Sequence, residues 1–316
     1  MKVDIYEQAS QLPPLGKGSF FHSRELMELL EATPRQQPYM AVVSDDDGQP
    51  VAHLLAILRH RRSWLPPYLY GHVRIYGDNG CPPELFGAMV SALEARLHSR
   101  SLFMEVSHLS TKMFGYRQLR AAGFFPIKWM SIHNSLHSRT PEERISQRLL
   151  RRIQAAQRRG AATSVVSTDE EFKAFSQLLR HHNWLKPQRY LPPDEFFKGL
   201  ASLGRCQLLI TTFRQKVIGC AVLVFSGGDS YLWYSAARRK SFAPLHPHAV
   251  TLWAAIKHSH RQGLQHIRFM DVGLPFRKNT RRDFIMRFGG KEVSTFRWFH
   301  ISIGWMNRLA SWLWRE

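Results

Sequence analysis

From Tyr39 to Ser44 the chain is apolar ("YMAVVS"), breaks at Asp45–Gly48 ("DDDG"), and turns apolar again from Val51 to Arg59. Two such runs across an Asp-Gly break predict a β-hairpin. Tyr68–Tyr76 alternates and predicts a third strand. Beyond "GDNGCPP", Leu85, Met89, Leu93 and Leu97 recur every four residues within Glu84–His98, the stripe of one helix face. Leu102–Val106 reads as a short buried strand and Met113–Ala122 as a short helix. Gly123 stops that helix, because the residue after a helix end commonly turns left-handed. Phe124–Ile132 reads as a last strand.

The same sequence of patterns returns. Arg205–Phe213, Lys216–Phe225 and, after "SGGD", Ser230–Ser235 predict three strands. Pro244–Gln262 predicts a long helix, with Val250, Ala254 and Lys257 at helical spacing. Ile267–Asp271 is a short strand, Arg281–Phe288 a short helix, and Lys291–Ile301 a last strand. "FMEV" at Phe103–Val106 matches "FMDV" at Phe269–Val272, and Gly123 matches Gly289; 269 − 103 and 289 − 123 both give 166. Equal element order at a constant offset predicts an internal duplication.

Between the halves, Thr140-Pro141-Glu142-Glu143 is a capping box. The Thr oxygen takes an amide of the first turn, Glu143 reaches back, and Pro141 has no amide hydrogen to satisfy. It predicts one helix from there to about Gln157, ended by Gly160, with Ile145, Leu149 and Ile153 inward. Arg144, Arg148, Arg151, Arg152, Arg158 and Arg159 cover the rest of it. Thr168-Asp169-Glu170-Glu171 is a second capping box, opening a helix with Phe172, Phe175 and Leu179 inward, and Pro193–Leu203 predicts another.

Composition narrows the class. The 316 residues, 44% hydrophobic, favour two domains. No run of 18 apolar residues is present and the first residues lack a signal-peptide core, so a cytoplasmic protein is expected. Cys81, Cys206 and Cys220 form no CxxC and read as reduced thiols. Lys and Arg number 44 against 24 Asp and Glu, a net charge of +20. That excess favours a polyanion: nucleic acid, anionic lipid or a phosphate-bearing co-substrate. His181-His182, His246/His248 and His258/His260 lack the i, i+4 spacing of an HExxH-type site, so no metal is expected. Neither GxSxG nor GxxxxGK[ST] occurs.

Strand, two helices, three-strand meander, long helix, strand, short helix, strand is the order of the GNAT acyltransferase fold. Two copies with a basic helix between them resemble the Fem-type aminoacyltransferases and their FemAB-like relatives. The resemblance lies in "LLRRIQAAQRRGAATSVV", "YLWYSAARRKSFAPLHPHAVTLWAAIKHSHRQG", "FMDVG" and "FIMRFGG". It implies two tandem GNAT-like α/β (α+β) domains, 1–139 and 140–316, each a mixed, mostly antiparallel sheet flanked by helices. Ile285 departs from it, standing where the Fem pattern has Lys; Arg282 or Arg287 is the available substitute. The pyrophosphate loop Q/R-x-x-G-x-G/A of ordinary GNAT enzymes is absent from both halves.

In a GNAT-like sheet the acyl donor enters between the fourth and fifth strands. The first half offers "GDNGCPPE" and "SHLSTKM" there, nearly devoid of cations. The second half offers Arg238, Arg239 and Lys240 before a helix N-terminus, where free amides already favour an anion, and Arg277, Lys278, Arg281 and Arg282 from the neighbouring strand end. These are the expected donor-phosphate residues. Asp271 is the expected catalytic carboxylate, orienting an amine or taking its proton through water; the competing reading is a salt bridge to Arg277 or Arg282. Tyr234 is the candidate donor to the oxyanion or leaving group, and Trp233 and Arg287 the candidate substrate contacts. Alternation places Tyr231 and Trp233 on one face and Tyr234 on the other, with core packing as the competing role.

The expected function is an N-acyltransferase using acyl-CoA or aminoacyl-tRNA as co-substrate, with no tightly bound cofactor and an amine acceptor such as a cell-wall or polysaccharide precursor. The alternative is a non-catalytic polyanion- or RNA-binding protein on the same fold. The basic helix either grips tRNA or is a solvated face. The terminal "WMNRLASWLWRE" aligns Trp305, Leu309, Trp312 and Leu313; docking of that face on a domain core is expected, with a membrane surface as the alternative.

Overall fold

The computed structural model describes residues 2–62, 69–183, 191–238, 240–270 and 278–314. In chain order its elements are β1 (Lys2–Tyr6), α1 (Arg24–Glu31), β2 (Gln36–Ser44), β3 (Pro50–Arg62), β4 (Leu69–Tyr76), α2 (Pro83–Leu97), β5 (Phe103–Ser107), α3 (Tyr116–Ala121) and β6 (Phe125–Ser135). Then follow α4 (Pro141–Arg144), α5 (Gln147–Arg158), β7 (Ala162–Val165), α6 (Asp169–Asn183), α7 (Asp194–Ser202), β8 (Cys206–Phe213), β9 (Lys216–Ser226) and β10 (Asp229–Ala237). The chain closes with α8 (Pro247–Arg261), β11 (His266–Phe269), α9 (Thr280–Met286), β12 (Lys291–Ile301) and α10 (Gly304–Leu313). Among the described residues no helix is long and apolar enough to cross a membrane.

The chain forms two compact units, Ser131–Val293 and a second made of Met1–Met130 with Ser294–Glu316. The sequence reading joined its domains at 139/140. The units divide differently because the last strand of each half is exchanged. In the first unit the strand order is β1-β2-β3-β4-β5-β12, so the sheet is completed from the far end of the chain. In the other unit β6 lies beside β11, followed by β10, β9, β8 and β7. β12 pairs with β5 through Trp298↔Val106, and β6 pairs with β11 through Asn134↔Ile267. Each sheet is mixed and mostly antiparallel. The parallel pairs are β4/β5 in one and β10/β11 in the other.

Each sheet packs a helix from its own half. In the first unit α2 buries Phe86, Met89, Val90, Leu93 and Leu97 against Leu54, Val73, Ile75 and Trp298. In the second, α8 buries Val250, Leu252 and Ile256 with Leu223, Ile267 and Phe288. Gly219 lets β9 approach α8: a Cβ there would stand 2.1 Å from Thr251 Oγ1. Gly123 and Gly289 end α3 and α9 with φ of +79° and +88°, as their shared offset predicts.

The basic helix is two helices. Ile145 is extended (φ −71°, ψ 143°), and Ser146 caps a new start by accepting from the Leu149 amide. The cause is tertiary. Ser146 donates its amide to the Arg287 carbonyl at 2.8 Å, and Gly289 lies so close to Arg144 that a Cβ would meet the Arg144 carbonyl oxygen at 2.7 Å.

The end of the chain also departs from expectation. No residue of α10 is buried, so its apolar face does not enter a core.

Candidate active site

In the first unit β4 and β5 stay paired to Tyr76↔Ser107, and Gly77 adds a hydrogen bond to the Ser107 carbonyl at 2.7 Å. Asp78 then ties the following loops together, accepting from the Ser110 amide at 3.2 Å and from the Ser110 hydroxyl. In the second unit the described pairing of β10 with β11 runs from Asp229↔His266 to Leu232↔Phe269, the Met270 amide reaches the Leu232 carbonyl at 3.4 Å, and residues 271–277 lie outside the described residues. β10 is paired with β9 as far as Ala237.

A β-bulge interrupts the register of β10 with β9, with Leu232 opposite Leu223 and Tyr234 opposite Val222. The extra residue, Trp233, breaks the alternation read from the sequence. Both rings turn toward α7: Trp233 meets Phe196 edge-on at 5.8 Å and Tyr234 meets Phe197 edge-on at 5.4 Å. Both are buried, so aromatic packing holds the tyrosine of β10 against α7.

Beyond β10, Arg238 and Lys240 are exposed on the segment leading to α8. α8 begins after His246, a left-handed residue (φ 43°), and no side chain caps it. Two cations that sequence reasoning did not assign here are Arg152 of α5 and Arg159, the residue at its C-terminal cap. Arg159 Nη1 lies 3.5 Å from the Pro244 carbonyl, and the His246 imidazole is lowered by burial and then by Arg152 and Arg159. Their signal was the arginine face of the basic helix, but nothing in the sequence says which loop that face meets.

α9 is joined to this region by His248, in the first turn of α8, whose ring stacks on Phe284 at 4.9 Å. Asn279 caps α9, accepting from the Arg281 and Arg282 amides. Arg281 is half-buried; Arg282 is nearly buried, with Nε 3.2 Å from Glu292 Oε1. Lys278 and Arg287 are exposed. Ile285 is a core residue of this unit. Asp271, Arg239 and Arg277 lie outside the described residues.

The acid that matches Asp271 in the repeat, Glu105, is described fully. It is buried, with Arg297 Nη1 at 3.0 Å, Arg74 Nη2 at 3.4 Å and His72 Nε2 at 3.3 Å. Burial alone would raise its carboxyl, but Arg74, Arg297 and His72 hold it well below the usual carboxylate range. A carboxylate so held is a poor base. Burial pushes the Cys206 and Cys220 thiols up to about 12, which removes them as nucleophiles near neutrality.

A repeated strand–helix–strand pattern with one parallel pair in each unit is the arrangement of a tandem GNAT-type fold. Residues 143–278 match the family model described as an acetyltransferase (GNAT) domain, and the fold of the chain is that of solved structures of GNAT and Fem-type proteins. The structure is similar to FemX with a TM-score of 0.64 and 12% identity, over 93% of this chain and 95% of that one. It is similar to the C-terminal domain of a putative lysylphosphatidylglycerol synthetase from Agrobacterium fabrum (TM-score 0.60, 12% identity, 92% and 90% covered). It is also similar to a tandem GNAT protein from the clavulanic acid biosynthesis pathway (TM-score 0.55, 11% identity, 95% and 99% covered). No curated protein sequence matches the chain. The domain match supports acyl transfer as the general activity.

Proposed function

We propose that the protein is an N-acyltransferase that takes an acyl or aminoacyl group from a phosphate-bearing carrier, acyl-CoA or aminoacyl-tRNA, and passes it to an amine of a cell-wall or polysaccharide precursor. The observation that carries this reading is the cationic segment before α8, where the exposed Arg238 and Lys240 are joined by Arg159, whose Nη1 lies 3.5 Å from the Pro244 carbonyl. The acyl arm of the carrier would lie along β10. Its phosphates would meet Arg238, Arg239 and Lys240, Arg152 and Arg159, and the Arg277, Lys278, Arg281 and Arg282 group. In the reaction the amine nitrogen bonds to the acyl carbon, and the carrier's C–S or C–O bond breaks. The ammonium must first lose a proton, which Asp271 would accept through water, and Tyr234 would donate to the departing sulfur or oxygen. Trp233 would shape the acyl end and Arg287 the acceptor side.

The test is a binding and turnover panel. Thermal shifts with CoA and acyl-CoAs are set against salt-dependent gel shifts with tRNA, since phosphate contacts give a steep salt slope. A shift with CoA selects the first carrier, and turnover with charged but not uncharged tRNA selects the second. Binding without turnover on either would sink the enzyme reading and leave a polyanion-binding protein. Asp271→Asn at full turnover would remove that carboxylate from the mechanism.

A further inference from the structure

Helix α10 presents itself in reverse. Its polar side chains hold it to the protein: Asn307 accepts from the Ile301 amide and donates to the Gly123 carbonyl, both at 2.9 Å, and Ser311 lies 3.3 Å from Arg120 Nη1. Asn307 and Ser311 are one helical turn apart and define the inner face. The opposite arc carries Trp305, Leu309, Trp312 and Leu313, which are 63, 49, 61 and 62% exposed. Ile303, just before the helix, is 40% exposed. Helices of water-soluble domains turn such a stripe inward, and a contiguous outward apolar patch marks an interaction surface.

Charge and residue type choose the occupant. α10 contains no acidic residue, and Arg308 borders the apolar arc beside Trp305 and Trp312. α3, which anchors it, contributes Arg117 and Arg120 and also has no acid. The whole chain carries +20. Tryptophan and arginine around an apolar stripe suit a lipid–water interface, where the indole lies at headgroup depth and the guanidinium meets lipid phosphate. We infer that α10 seats the protein on an anionic lipid surface, with Trp305, Leu309, Trp312 and Leu313 entering the headgroup layer and Arg308 facing lipid phosphates. This inference is independent of the acyl carrier, because α10 and the cationic segment before α8 belong to different units.

The experiment is cosedimentation of the full chain with vesicles of phosphatidylcholine mixed with phosphatidylglycerol, against phosphatidylcholine alone. Binding should require the anionic lipid. The triple variant Trp305→Ser, Leu309→Ser, Trp312→Ser should lower the partition by about tenfold or more, because it removes most of the apolar area that enters the interface. Its melting temperature should match the parent's, since all three side chains are exposed. Arg308→Glu should weaken binding at low salt and matter little at high salt. No binding to anionic vesicles overturns the inference. So does equal binding by the triple variant, which would make the attachment general to the basic surface. So does a dimer in solution that the triple variant abolishes without vesicle binding, which would give the face to a second copy of the chain.

Discussion

Replacing Glu105 by Gln keeps shape and removes charge, so it isolates what the buried carboxylate does for the first unit. Arg297 and Arg74 approach it at 3.0 and 3.4 Å. At an effective dielectric near 20 each contact is worth about 5 kcal/mol. Removing the charge also relieves the carboxylate's own burial cost, several kcal/mol, so the net loss is about 3–5 kcal/mol. Arg297 remains stacked on Trp129 at 3.9 Å, which keeps the guanidinium in place and exposes the uncompensated charge rather than letting it swing to solvent. Urea unfolding would report the loss, and hydrogen exchange in β5 and β12 would assign it to this unit. The pH dependence gives an independent reading. The folded carboxyl titrates below its ordinary value, about 4.3 in an unfolded chain. Its contribution is therefore complete above about pH 4.3 and disappears as pH falls toward the folded value. Parent and Glu105→Gln should differ by a constant amount between neutrality and about pH 5, then converge. A variant within about 1 kcal/mol of the parent at pH 7, or a gap that does not close in acid, would refute the ion-cluster reasoning.

Three further outcomes are expected. Burial, with His53 nearby, lowers the His22 imidazole to about 3, and its Nδ1 accepts from the Leu55 amide; stability should therefore decline as pH drops below about 6.5 and continue down to the folded value, and His22→Asn should flatten that slope in urea titrations. Gly289→Ala adds a Cβ 2.5 Å from Arg144 Cβ at a φ of +88°, so calorimetry should show a loss of about 2 kcal/mol or more. Arg152→Glu with Arg159→Glu should weaken binding of the phosphate-bearing carrier and lower its salt slope by about two contacts, leaving the melting temperature near the parent's.

The strands and helices were legible wherever one face is buried and the period is clear. The β2–β3 hairpin, the α2 and α8 stripes, both capping boxes and the two left-handed glycines all follow from local pattern. α1 went unread although Ser23 caps it and Leu26, Met27 and Leu30 fill its inner face. β7 gave little to read, since three of its four residues are exposed. The exchange of β6 and β12 has no local signature: either strand offers alternating residues to either neighbour, and only the assembled sheet decides. At the site, the basic character of the loops was visible, but the bulge at Trp233 was not, because alternation assumes an unbroken register. The arginines of α5 were visible as a face without an address.

The returning strand has a consequence for synthesis on the ribosome. Nearly all of the first unit is translated before residue 131, yet Phe296, Trp298 and Arg297, whose guanidinium pairs with Glu105, emerge only after the whole of the second. The first unit is therefore begun before the second and completed after it, and a nascent chain stalled before residue 294 would leave an open sheet edge and a carboxylate short of its counter-charge. Expression of residues 1–130 alone should yield insoluble material, whereas a fragment with 294–316 fused behind it has every strand it needs.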